Sequence, residues 1–156
     1  MNKQRQEVRR LMMAIDRIDE VYYGAQKISG MKDSLFVLMY ALSNGVPQTQ
    51  KQICEEWRIP RSTLNTTVLE QVREGNLELT SDGHKHKQIH LTDKGKNFIE
   101  AELAPLFSAE EDAAVSMDIE RLTDKLALFA TYLEENFRKQ ISEEEAASSN
   151  AGSTVL

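Results

Sequence analysis

Apolar residues recur in steps of three and four through residues 4–23, at Val8, Leu11, Met12, Ile15, Ile18, Val21 and Tyr22. That spacing predicts an amphipathic helix, with Gly24 and Gly30 punctuating its end. Asp33 or Ser34 is expected to cap a second helix carrying Leu35, Leu38, Met39 and Leu42, which Asn44-Gly45 and Pro47 stop. Thr49 is suited to cap a short helix reaching about Trp57, with Ile53, Cys54 and Trp57 on one side. Ile59-Pro60 breaks the chain. From Pro60 or Arg61 a further helix runs to Gly75, with Leu64, Val68 and Val72 spaced by four. Two short helices three or four residues apart, the second closed by glycine, form the outline of a helix-turn-helix.

The period then changes. Leu77-Glu78-Leu79-Thr80 and Gln88-Ile89-His90-Leu91 alternate with period two around the turn signal Ser81-Asp82-Gly83. This predicts a hairpin directly after the second short helix, in the position of a wing. Thr92 is expected to cap the next helix, with Asp93 favouring its positive end. That helix carries Phe98, Ile99, Leu103, Leu106 and Phe107, and Pro105 is expected to kink it. A last helix from about Asp118 to Ile141 presents Ile119, Leu122, Leu126, Phe129, Leu133, Phe137 and Ile141. Residues 142–156 turn acidic and then Ala/Ser/Gly-rich, and read as a disordered tail.

The expected fold class is therefore mainly α with a small β-hairpin wing. A winged helix-turn-helix at about 34–97 is flanked by dimerisation helices at about 4–29 and 98–141. Residues 1–141 are read as a single domain. The terminal apolar stripes exceed what one small module covers, and a two-fold homodimer pairing these helices is the expected solution.

Composition changes the picture in one respect. The net charge is −6 over 156 residues, which is unpromising for a nucleic-acid partner. Its distribution is not: residues 1–46 carry +2, residues 47–97 carry +1, and residues 98–156 carry −9. Between Trp57 and Leu69 stand two arginines and no acid; between Gly83 and Leu91 stand two lysines, three histidines and no acid. No apolar run approaches membrane-spanning length. The start of the chain does not read as a secretory signal, so the expected location is cytoplasmic. The single Cys54 forms no internal bridge.

In order and spacing, four stretches resemble the MarR family of bacterial transcription regulators. They are Gln50-Lys51-Gln52-Ile53-Cys54, then Ile59-Pro60-Arg61-Ser62-Thr63-Leu64-Asn65, then Gly75, and Leu91-Thr92-Asp93-Lys94-Gly95. The motifs cover about residues 34–100, and the architecture covers the whole chain. The resemblance implies a dimer of triangular outline, with a recognition helix in the major groove and a wing at the neighbouring minor groove. It also implies a repressor acting on an inverted-repeat operator in double-stranded DNA and released by a small-molecule effector or by oxidation. The sequence departs from the family twice: Lys85 stands nearest to the usual wing-tip arginine, and Gln71 stands where a hydrophobic residue is usual.

A groove-reading helix needs a cation and short polar side chains near its exposed start. Arg61, Ser62, Thr63, Asn65 and Thr66 supply them. Arginine pairs with guanine O6 and N7, asparagine with adenine N6 and N7, and threonine methyls touch thymine. His84, Lys85 and Lys87, with His86, form a basic wing tip suited to phosphate. The same residues also suit a solvated helix start and a solvated turn. The corresponding alternative is a winged-helix protein-interaction module that has lost DNA binding. His84, His86 and His90 lack a cysteine or carboxylate at ligand spacing, so no metal site is expected. Cys54 sits among apolar residues beside Glu55 and Glu56, the surroundings of a core thiol. Asn65-Thr66-Thr67 matches a glycosylation sequon by chance. No phosphate loop, acid/base pair or nucleophile triad is present, so neither an enzyme nor a cofactor is expected.

Overall fold

The computed structural model describes residues 2–81 and 87–151, with side chains up to residue 145. In chain order the elements are α1 (Lys3–Ser29), α2 (Asp33–Leu42), β1 (Gln48–Thr49), α3 (Gln50–Trp57), α4 (Arg61–Glu74), β2 (Leu77–Thr80), β3 (Gln88–Leu91), α5 (Asp93–Val115) and α6 (Ile119–Ala151). The winged helix expected from periodicity is present. Backbone contacts divide the chain into two units, residues 1–109 and 110–156, with the boundary inside α5.

Local chemistry explains most boundaries in the first unit. Asn2 caps α1 by accepting from the Arg5 amide, and Gly30 closes it in the left-handed region at φ 69°. Gly24 does not end the helix, because a lone glycine costs a helix only about 1 kcal/mol. Neither Asp33 nor Ser34 caps α2: Lys32 takes that position without a side-chain bond. Thr49 and Gln52 form a reciprocal capping box at the start of α3. Arg58, at φ 55°, turns the chain out of α3 without a glycine.

Pro60 starts α4, and Gly75, at φ 79°, ends it while its amide bonds back to the last turn. The helix-turn-helix connection is thus three residues long. Thr92 opens α5 by accepting from the Gly95 amide at 3.0 Å, with Asp93 in the first turn.

The sheet has one strand more than the sequence suggested. Its order is β1-β3-β2, antiparallel throughout. Gln48 pairs with Ile89 and Thr49 with Gln88, while Leu77 pairs with Leu91 and Thr80 with Gln88. The sheet therefore ties the start of α3 to the wing.

Two apolar clusters hold this unit. Leu38, Leu42, Ile53, Leu64, Val68 and Ile89 form the first, beneath the helix-turn-helix and the sheet. Phe36, Met39, Ile99, Leu103 and Leu106 form the second, with Tyr22 and Ala25 of α1 packed against it. Cys54 is half-buried against the first cluster. Trp57 remains 40% exposed, its ring edge-on to Tyr40 with centroids 5.4 Å apart.

In the second unit, Asp118 caps α6 by accepting from the Arg121 amide at 3.1 Å. The helix does not stop at 141: it continues to Ala151. Ser142 to Ala147 contain no breaker, and Glu and Ala are strong helix formers, whereas composition alone had placed these residues in a tail. Leu133 is 53% exposed and Phe137 64% exposed within the chain. In the first unit, Met12, Ile18 and Val21 of α1 are likewise exposed. No helix among the described residues is long and apolar enough to cross a membrane.

Candidate nucleic-acid interface

Leu64 and Val68 are fully buried in α4, and Thr67 and Gln71 are nearly so. They point one face of the helix at the core. At 3.6 residues per turn the opposite face is then fixed. Ser62, Asn65 and Thr66 are exposed on it, and Arg61 and Thr63 are exposed at its two flanks in the first turn. Arg61 and Asn65 stand one turn apart, as do Ser62 and Thr66. The five residues named from sequence are therefore brought together on one accessible surface.

That surface is held from behind. The Thr67 hydroxyl lies 2.9 Å from the Ser34 hydroxyl and 3.1 Å from the Thr63 carbonyl. Thr66 donates to the Ser62 carbonyl at 3.1 Å. Pro60 gives the first turn no side-chain cap, so its leading amides point toward whatever anion approaches.

Two further residues share this surface, and a third touches Asn65 from α3. Leu69, 41% exposed, and Arg73, in the last turn, share the outward face. Helical phase counted from Leu64 and Val68 was the signal that could have found them. Gln50, the first residue of α3, donates its amide to Asn65 Oδ1 at 3.3 Å. No local pattern in the sequence announces that contact, which spans 15 residues.

The far end of α4 is anchored by polar groups. Gln71 accepts from Asn76 Nδ2 at 2.8 Å and donates to Glu74 Oε2 at 2.9 Å. The Asn76 carbonyl accepts from the Thr92 amide at 3.1 Å, and Lys94 Nζ donates to the Glu74 carbonyl at 2.5 Å. Gln71 is thus satisfied by a partner five residues on.

Lys87 is exposed at the entry to β3. His84 and Lys85, with His86, lie outside the described residues. His90 Nε2 sits 2.6 Å from the Thr80 hydroxyl across the β2–β3 pair. Among the described residues no group of three His, Cys, Asp or Glu side chains converges on a metal-sized site.

Met39 is fully buried, and Tyr23 is exposed beneath Lys27 Nζ, 4.4 Å from its ring centroid. Tyr22 and Trp57 each meet Tyr40 edge-on. Elsewhere, Leu42, Val46, His90, Leu91 and Lys96 line a cavity of about 170 Å³, below the usual range for ligand pockets.

No family model matches the sequence, and no curated protein matches it. Solved structures do match the fold. A MarR family regulator from Neisseria meningitidis superposes with a TM-score of 0.67 at 23% identity, over 92% of this chain and 99% of that one. The transcriptional regulator BldR from Sulfolobus solfataricus gives 0.60 at 16% identity, over 84% of this chain and 99% of that one. NadR in complex with 4-hydroxyphenylacetate gives 0.59 at 17% identity, over 77% and 89%. The chain is folded as these regulators are.

Proposed function

We propose that this chain is a regulator of the MarR type, which binds double-stranded DNA sequence-specifically as a homodimer and has no catalytic role. The observation that carries the reading is the exposed face of α4. It gathers Arg61, Ser62, Asn65 and Thr66 on a rigid helix backed by Leu64 and Val68, in a stretch without an acidic residue from Trp57 to Leu69. A cation, an amide and two hydroxyls on one helix face are the groups that read base edges in a major groove. The −9 charge of residues 98–156 lies outside the winged module, so the net acidity does not oppose this use of α4.

The dimer is supported by the apolar residues left exposed on α1 and α6. A two-fold partner would bury them and would set two copies of α4 side by side. Two recognition helices held on one duplex occlude it, so repression is the proposed mode. A small-molecule effector is proposed by analogy with the similarly folded NadR, whose structure contains 4-hydroxyphenylacetate.

The test is selection of binding sites from a random duplex pool, followed by mobility shift across a salt series. Enrichment of an inverted repeat and a steep loss of affinity with salt are expected. Absence of both would favour the protein-interaction reading.

A further inference from the structure

Asn65 stands on the outward face of α4, and its amide has two chemically different ends. Reading an adenine requires the oxygen to accept from N6 and the nitrogen to donate to N7. An exposed asparagine amide left to itself rotates between presentations that differ by half a turn. Which end it shows then has to be fixed on binding, and discrimination suffers. Here Gln50 Nε2 donates to Asn65 Oδ1 at 3.3 Å, so the oxygen end of the Asn65 amide is held toward α3.

Gln50 is itself held in place by its backbone. Thr49 and Gln52 cap one another at the start of α3, through bonds of 2.8 and 3.2 Å. Thr49 and Gln48 pair with β3, and Gln48 Nε2 donates to the Ala41 carbonyl at 3.0 Å. Ile53 of α3 and Leu64 of α4 are fully buried in one cluster, which locks the two helices together. The Gln50 side chain thus leaves a backbone fixed on both sides and meets the recognition helix at its fifth residue.

We infer that Gln50 is a specificity-determining positioning residue, which orients the Asn65 amide for base readout by donating a hydrogen bond to its oxygen. This rests on the DNA-binding reading. Asn65 Oδ1 keeps a second lone pair, and its amino group keeps both hydrogens, so the oriented amide still presents one acceptor and two donors to a base pair. Gln50 is expected to carry its effect through Asn65 and not through a contact of its own.

The experiment measures affinities of the full chain for the selected operator and for single-base variants of it, alongside melting temperature. Gln50→Ala is expected to keep the parent's melting temperature and its affinity for unrelated DNA. It should lose roughly three- to tenfold in discrimination, about the worth of one hydrogen bond. The loss should fall at the base pair where Asn65→Ala loses discrimination, and Gln50→Ala should add nothing in the Asn65→Ala background. Gln50→Lys, which can only donate, is expected to restore discrimination; Gln50→Glu, which can only accept, is not. Unchanged discrimination in Gln50→Ala would overturn the inference, as would a loss additive with Asn65→Ala or a drop that is equal on all sequences. A parent that selects no sequence overturns the DNA-binding reading itself, a result distinct from any of these.

Discussion

The carbonyl of Asn76 fills the space that a side chain at Gly95 would need. A β-carbon built at position 95 collides with that oxygen and also crowds Leu91 Cδ2 at 3.1 Å. The contact joins the end of α4 to the first turn of α5, where Thr92 already bridges the two through the Gly75 and Asn76 carbonyls. Glycine in a helix is usually a weakness, and alanine in its place gains up to about 1 kcal/mol. At Gly95 the sign reverses. Gly95→Ala is expected to destabilise the protein by about 1–3 kcal/mol, the cost of overpacking a closed site. Chemical denaturation measures this, and an equal or higher midpoint with an unchanged slope would refute it.

Gln71 makes a second test of the same junction. It is nearly buried, and its oxygen is the partner of Asn76 Nδ2. Gln71→Leu adds apolar surface to the core but strands a buried donor, at a cost of about 1–3 kcal/mol. A net loss of stability is therefore expected. Coupling is expected as well. In the Asn76→Ala background Gln71→Leu should cost much less, because the stranded donor is gone. A double-mutant cycle whose losses simply add would show that the bond contributes nothing.

These two sites also mark what could be read from the sequence alone. Caps and breaks were legible at Thr49, Pro60, Gly75 and Thr92, because each acts within four residues of itself. The hairpin strands were legible from alternation. The β1–β3 pairing was not, since Gln48-Thr49 is too short to show a period and its partner lies about forty residues away. Gln50 and Gln71 were missed as structural groups for a different reason: a polar side chain with no periodic signature declares its partner only once the fold has set the two side by side. The end of α6 was misplaced because acidic, alanine-rich composition fits both a tail and a helix.

The exposed stripe of α6 allows association to be tested separately from folding. Leu133 and Phe137 are both more than half exposed within the chain, so a carboxylate at either position keeps access to water in the single chain. In a dimer interface the same carboxylate would be desolvated without a partner, which is costly. Leu133→Asp and Phe137→Asp are therefore expected to shift the protein from dimer toward monomer at micromolar concentration. Light scattering reads the mass directly. A parent of monomeric mass, or a doubly substituted variant that stays dimeric at the same concentration, would remove α6 from the interface.

The proposed DNA-binding reading of α4 makes the most specific demands. Arg61 and Asn65 lie one turn apart on the exposed side of α4, so both can reach base edges from one groove. Arg61→Ala and Asn65→Ala should each cost roughly 1–3 kcal/mol and relax preference at one position of the site. Lys87 stands at the foot of β3, outside the recognition helix, and its partner would be phosphate. Lys87→Ala should weaken binding to every sequence alike and lower the salt slope by about one. The operator should be an inverted repeat whose half-site centres are separated by whole helical turns of about 10 base pairs, because the two recognition helices of a two-fold dimer face one side of the duplex. The distinction between the two classes of residue is the critical outcome. If Arg61→Ala and Lys87→Ala alter affinity and salt slope in the same way on all sequences, α4 holds the backbone and does not read the bases.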